Sequence, residues 1–186
     1  MELGEAIVLD RTGAHRRLGD VWARRPALVI FLRHFGCIGC AAQVDAVVPR
    51  LPELSALGVG LVLVGNGAPE FIDAFVQRQA LDGRPVEIFT DPSLAVFRAA
   101  GLRRSRWASA GPRALLELMR AFFDGHRGAG TLQGDAWQQG GALLVDTDGT
   151  IAFQHRSESL GHAARPAELI AAALALTARR ETGWTL

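Results

Sequence analysis

Lysine is missing from the 186-residue chain: all twenty basic residues are arginine. That removes Schiff-base lysine chemistry and the phosphate-binding lysine of a P-loop. The twenty arginines face nineteen acidic residues, for a formal net charge of +1, so no global field gathers nucleic acid or anionic lipid. Long apolar runs are also lacking. The longest, Ala27 to Leu32 and Leu169 to Leu176, fall far short of the roughly eighteen residues that cross a bilayer. The opening residues Met1-Glu2-Leu3-Gly4-Glu5 lack the basic and apolar regions of a secretory signal, so a cytoplasmic, reducing setting is expected. Cysteine occurs only twice, and no segment repeats. What the chain has is apolar residues, 49% of the total and spread along its length, as a globular domain requires. The length fits one domain over residues 1–186.

The order of elements is mixed α/β. A short hairpin is expected around Ile7 to Leu9 and Arg16 to Leu18. Ala27 to Leu32 is apolar on both alternating faces, as in a central strand covered by helices. A helix opens at Cys37 and runs toward Leu57, with Pro49 and Pro52 kinking or splitting it. Val59 to Val64 is a second strand, Pro69 to Gln79 a helix, Val86 to Phe89 a third strand, and Pro92 to Ala100 a short helix ended by Gly101. Strands alternating with helices predict a parallel sheet. Residues from about 103 to 140 break the alternation and form an insertion: a basic loop at Arg103 to Arg106, an amphipathic helix over Pro112 to Phe123, and a glycine-rich connection from Gly125 to Gly134. A β-hairpin follows, Ala142 to Asp146 and Thr150 to Phe153, turning at Asp148-Gly149. Pro166 to Thr177 is a closing helix and the tail to Leu186 is expected to be loose. Gly125, Gly128 and Gly130 follow no strand and have no phosphate-binding lysine, and Asp146-Thr147-Asp148-Gly149 lacks the downstream ligand of a calcium loop, so no nucleotide, calcium or other cofactor is expected.

The two cysteines stand at Cys37-Ile38-Gly39-Cys40, between a buried strand and the first turn of a helix. Unpaired N–H groups and the positive dipole end at a helix N-terminus stabilise a thiolate, the nucleophilic form, which favours Cys37 as the attacking sulfur. Three residues on, Cys40 is placed to resolve a mixed disulfide or sulfenic acid across one helical turn. Two other readings stand beside this one. Both cysteines can be small buried hydrophobes in a non-catalytic binding protein that presents the 103–134 insertion to a partner. They can also be half of a zinc site, with His34 three residues upstream and His126, His155 and His162 scattered along the chain. Arg33 and His34 precede the cysteines at the C-terminal end of the strand, where α/β sheets place their sites. Arg33 can stabilise a thiolate or orient an anion, or pair with a carboxylate; His34 can shuttle a proton or cap the loop.

Four stretches carry a family resemblance: Phe31-Leu32-Arg33-His34-Phe35-Gly36-Cys37-Ile38-Gly39-Cys40, Thr90-Asp91-Pro92-Ser93 leading to Gly101-Leu102, Gln139-Gly140-Gly141, and His155-Arg156-Ser157 ahead of Pro166. In them the chain resembles the peroxiredoxin-like branch of the thioredoxin superfamily, the alkyl hydroperoxide reductase/thiol-specific antioxidant type that includes selenoprotein L-like members. The resemblance implies a thioredoxin-like fold, with a central mixed five-stranded sheet flanked by helices. The Val86 strand would lie at one edge, followed by the Val59, Ala27, Ala142 and Thr150 strands, the last two antiparallel, with the helical insertion preceding them. It also implies thiol-dependent reduction of a peroxide or disulfide, Cys37 matching the first redox cysteine and Cys40 the second. Where typical peroxiredoxins carry Pro-x-x-x-Thr-x-x-Cys, Ile30 and His34 occupy the Pro and Thr positions before Cys37.

Residues and resemblance together predict a cytoplasmic thiol–disulfide oxidoreductase with Cys37, Cys40, Arg33 and His34 at its site. It would be recharged by an external thiol, either a thioredoxin-like protein or a small thiol, since no flavin or nicotinamide fingerprint is present. Neither nucleic acid nor membrane is an expected partner. A homodimer is left open as its assembly.

Overall fold

The computed structural model describes residues 2–105, 123, 133–158 and 162–182. Among them a seven-stranded sheet forms the centre, in the order β2-β1-β5-β4-β3-β6-β7. Its strands are β1 (Ile7–Leu9), β2 (His15–Arg17), β3 (Ala27–Phe31), β4 (Gly60–Gly65), β5 (Val86–Thr90), β6 (Gly141–Val145) and β7 (Ile151–Arg156). The helices are α1 (Ile38–Val47), α2 (Leu51–Ala56), α3 (Phe71–Arg78), α4 (Ala95–Ala99) and α5 (Pro166–Thr182).

The two uninterrupted apolar runs take the middle of the sheet. Strands β3 and β4 are buried along their whole length and pair in parallel, Ala27 beside Gly60 and Phe31 beside Val64. Period-two alternation divides their side chains between two cores. Leu28, Ile30, Leu61 and Leu63 face a core filled by α1, α2, α3 and α5, through residues such as Val44, Leu54, Phe75 and Leu169. Ala27, Val29, Phe31, Val62 and Val64 face a second core closed by Val96 and Phe97 of α4 and by Ala6, Val8, Leu18 and Trp22 of the N-terminal segment. Each large side chain fully buried in these layers contributes about 1.5–3 kcal/mol of transfer free energy.

The five strands expected from the resemblance are present in the expected order, β6 lying antiparallel to β3 and β7 antiparallel to β6. One placement differs. The Val86 strand is not an edge, because the N-terminal hairpin extends the sheet beyond it, β1 joining β5 through the single pair Leu9–Thr90. Anchored by Val8, 0% exposed in the second core, this hairpin covers what would otherwise be an open row of backbone groups.

Proline and carboxylate chemistry set the helix limits. Pro49 splits the expected long helix, so α1 passes into a 3-10 turn at Val48–Arg50 before α2 begins, with Pro52 in its first turn. The helix expected from Pro92 starts only at Ala95, because the Asp91 carboxylate folds the intervening turn by accepting from the Ser93 N–H at 2.9 Å and the Val96 N–H at 2.7 Å. Gly101 then ends α4 at φ 68°, the left-handed value that favours glycine. The final helix α5 runs to Thr182, five residues beyond the expected Thr177.

The expected insertion helix over Pro112 to Phe123, Phe123 apart, lies outside the described residues, as do most of the glycine-rich connection and the tail beyond Thr182. The two stems of the insertion are described. Arg104 and Gln138 form an antiparallel bridge, and the Ser105 N–H donates to the Trp137 carbonyl at 2.8 Å, so the chain leaves and returns at one point beside the sheet.

Candidate active site

Strands β3, β4 and β5 are mutually parallel, so their C-terminal ends share one edge of the sheet, where Arg33, Asn66 and Asp91 follow them. The chain then turns from β3 toward α1 around Phe35. Its ring lies over Gly65 of β4 so closely that a Cβ there would meet the ring at 2.4 Å, and its centroid is 5.4 Å from that of Phe75. Arg78 donates to the Phe35 carbonyl at 2.7 Å, and the His34 carbonyl accepts the Cys37 N–H at 3.1 Å. These contacts fix the turn and set Cys37 as the residue that caps α1.

Cys37 has extended backbone geometry, φ −76° and ψ 121°, and its sulfur accepts the Cys40 N–H at 3.4 Å. It thus occupies the capping position that Ser, Thr or Asp fills in most helices. The thiol of Cys40 donates to the same sulfur, and this is the largest cause of a Cys37 pKa lowered from 9.0 to about 7; burial opposes the shift, while the Arg33 charge and the Cys40 and Gly39 N–H groups reinforce it. Cys40 moves the other way. Burial, the bond it donates and the negative charge of Cys37 raise its pKa well above the ordinary value. Its sulfur accepts the Arg33 N–H at 3.2 Å. The pair therefore favours one thiolate, Cys37, beside one thiol, Cys40, and both are free of disulfide linkage.

Both sulfurs sit beneath the surface, their residues 5% and 6% exposed, and both line a small cleft. Its accessible volume is about 20 Å³, and its wall includes Arg33, Gln43, Ser157 and His162. Such a space holds about one water-sized molecule.

Arg33 lies against the sulfurs, 5% exposed. Its guanidinium donates to the Gln138 carbonyl at 3.2 Å and to the Ala136 carbonyl, which ties β3 to the returning stem of the insertion. Asn66 holds the same stem from the other side, accepting the Asp135 N–H at 2.9 Å and donating to the Asp135 carbonyl at 3.2 Å. His34 is 8% exposed and is absent from the cleft wall; its Nδ1 is buried without a hydrogen-bond partner among the described residues. Burial and the adjacent Arg33 charge depress its pKa to about 4, against a weaker raising effect of Asp135, so the ring is neutral. Of the four residues singled out in the sequence, Arg33, Cys37 and Cys40 share the cleft, while His34 meets the site only through its carbonyl, which accepts the Cys37 N–H. Among the described residues no group of three or more His, Cys, Asp or Glu side chains converges as a metal site.

Sequence reasoning missed Gln43, and it named Ser157 only within a stretch of family resemblance and His162 only as a scattered zinc candidate, placing neither beside the sulfurs. Gln43 was legible in principle, three residues beyond Cys40 and so on the same helix face. Ser157 and His162 arrive through the β7–α5 connection, from about 120 residues away, a distance at which no local pattern carries information.

The AhpC/TSA antioxidant enzyme family model matches residues 47–159, a span that begins just past the two cysteines. Thioredoxin-like protein AAED1, chloroplastic, of Arabidopsis thaliana is 30% identical over 145 residues, 74% of this chain and 57% of that one. The chain thus spans little more than half the length of this plant relative. Peroxiredoxin-like 2C of Homo sapiens is 31% identical over 174 residues, 84% of this chain and 72% of that one. Among solved structures, Peroxidoxin BcpB from Mycobacterium tuberculosis superposes with a TM-score of 0.64 at 17% identity, covering 93% of this chain and 92% of that one. The fold is accordingly that of the peroxiredoxins, and the chain belongs to the AhpC/TSA antioxidant enzyme family.

Proposed function

We propose that this protein is a thiol-dependent peroxidase acting on small hydroperoxides, with Cys37 as nucleophile and Cys40 as resolving thiol. The reading is carried by two adjacent sulfurs at the wall of a water-sized cleft, one capping the helix by accepting an N–H and shifted toward the thiolate, the other shifted toward the thiol. The Cys37 thiolate attacks one peroxide oxygen: the S–O bond forms, the O–O bond breaks, and the departing oxygen leaves with the electron pair and takes a proton, giving an alcohol or water. Cys37 is then a sulfenic acid. The Cys40 sulfur, losing its proton, displaces water from it to form the Cys37–Cys40 disulfide. Two equivalents of an external thiol, from a small thiol or a thioredoxin-like protein, reduce that disulfide by exchange and leave as their own disulfide.

In this cycle Arg33 holds a fixed positive charge beside Cys37, stabilising the thiolate and the charge that develops as the O–O bond breaks. His34 acts as a positioning residue, its carbonyl holding the Cys37 N–H while its neutral ring fills space beside the returning stem. The cleft volume favours hydrogen peroxide, the smallest hydroperoxide, over a bulky substrate disulfide. A cytoplasmic location is part of the same proposal. No helix among the described residues is long and apolar enough to cross a membrane, and the plant relative is chloroplastic by name.

Peroxide consumption in the presence of a thiol reductant, followed with mass spectrometry of the protein, tests the cycle. Wild type is expected to form the intramolecular disulfide, Cys40→Ser to stop at the Cys37 sulfenic acid, and Cys37→Ser to do neither. Peroxide consumption by Cys37→Ser at the wild-type rate refutes the assignment.

A further inference from the structure

Two side chains from one edge of the sheet, Asn66 and Arg33, reach the returning stem of the insertion and meet it at adjacent residues. Asn66 follows β4 and is 3% exposed. Its Oδ1 accepts the Asp135 N–H at 2.9 Å and its Nδ2 donates to the Asp135 carbonyl at 3.2 Å, so one amide satisfies both backbone groups of one residue. The next residue, Ala136, supplies one of the two carbonyls that receive the Arg33 guanidinium, and Gln138 supplies the other at 3.2 Å. The fit around this clamp is close. A Cβ on Gly134 would run into the Asn66 Oδ1, and one on Gly67 into the Gln133 carbonyl oxygen. Gly134 also has φ 137°, a value that glycine adopts at little cost. Gln138 lies three residues before β6 and is carried by that strand, whereas Ala136 depends for its place on Asp135.

Arg33 belongs to the sulfur pair as well as to the stem. Its backbone N–H donates to the Cys40 sulfur, and its charge is among the causes that lower the Cys37 pKa. Among the described residues, the other titratable side chains on the cleft wall with Cys37 are Cys40 and His162; it is Arg33 that the stem holds. An arginine side chain turns about several bonds, so its charge has a fixed place only while its N–H groups are engaged. We propose that Asn66 is a positioning residue of the redox site: by clamping Asp135 it sets the Ala136 carbonyl, and that carbonyl keeps the Arg33 guanidinium beside Cys37. The returning stem is thereby part of the site. The proposal rests on the reading of Cys37 as a thiolate nucleophile and is independent of the electrophile that the thiolate meets.

The test reads the pH midpoint of Cys37 alkylation by iodoacetamide in the full chain, with the adduct located by mass spectrometry. Wild type is compared with Asn66→Ala, Arg33→Met and the double variant Asn66→Ala/Arg33→Met. Asn66→Ser removes the amide pair but keeps a small polar side chain, and Gly134→Ala disturbs the same contact from the stem, so one poorly folding variant does not end the test. Arg33→Met is expected to raise the midpoint by about one pH unit and Asn66→Ala by about half a unit. In the double variant the midpoint should stay within about 0.2 unit of Arg33→Met, because Asn66 acts through the missing guanidinium. A merely structural Asn66 would lower the stability to urea and leave the Cys37 midpoint in place. Folded Asn66 variants with the wild-type midpoint overturn the proposal. So does an Asn66 shift that persists undiminished without Arg33, or an Arg33→Met protein that titrates as wild type does. A wild-type midpoint at the ordinary value of 9.0 overturns the thiolate reading and this proposal together. Peroxide consumption by wild type no faster than by Cys37→Ser overturns the peroxidase reading alone.

Discussion

Replacing Cys40 by alanine isolates the interaction that ionises Cys37. The Cys40 thiol donating to the Cys37 sulfur is the largest cause of the lowering from 9.0 to about 7. Alanine removes that donor but keeps the residue 40 N–H, the Gly39 N–H and the Arg33 charge, so the shift is lost in part. A midpoint near 8 is expected, which cuts the thiolate share at pH 7 from about 50% to about 9%. Cys40→Ser keeps a hydroxyl donor and should titrate close to wild type. The readout is the pH midpoint of Cys37 ionisation, followed by the ultraviolet absorbance of the thiolate or by the rate of alkylation across pH. A rate at one pH understates the change, because a more basic thiolate is intrinsically a better nucleophile, by about threefold per pKa unit. A Cys40→Ala protein whose Cys37 titrates at the wild-type midpoint would refute the donor assignment. So would serine and alanine moving it equally.

Two other features give separate tests. The His34 imidazole is neutral in the folded protein down to about pH 4, whereas its unfolded value is near 6.5, so stability fully present above pH 6.5 is lost as the pH falls; at about pH 5 the loss is about 2 kcal/mol. Urea unfolding at pH 7 and at about pH 5 should show this slope reduced in His34→Gln, and equal slopes in the two proteins count against it. Gly65→Ala places a methyl group 2.4 Å from the Phe35 ring and is expected to cost about 1–3 kcal/mol, with partial recovery in the double variant Gly65→Ala/Phe35→Leu. A single variant as stable as wild type would mean that the ring moves freely.

The middle of the sheet could be read directly from the chain because Ala27 to Leu32 and Val59 to Val64 carry no polar side chain at any position, a pattern that a doubly covered strand requires and few other elements satisfy. Pro49 likewise announced the break between α1 and α2. The N-terminal hairpin was expected, but not its docking: β1 reaches β5 through one residue pair, which no local pattern announces, so the true edge of the sheet was hidden. The candidate site divides in the same way. Cys37 and Cys40 were visible because their spacing and their place after a strand are local. The hydrogen-bond partners of Arg33, Gln138 and Ala136, stand 105 and 103 residues away and are set only by the return of the insertion. His34, polar and beside the motif, invited a proton-transfer role, but its ring turns out to be enclosed, a consequence of tertiary packing against the 133–139 stem.

One atom has two employments in this molecule. The sulfur of Cys37 holds the Cys40 N–H at the first turn of α1, and no hydroxyl or carboxylate side chain stands there as a substitute. Any bond that this sulfur makes to oxygen or to another sulfur changes the acceptor on which the start of the helix depends. Chemical events at the cleft are thereby transmitted to the winding of the backbone, and the amide exchange rates of residues 38–41 should follow the oxidation state of the protein as a needle follows a gauge.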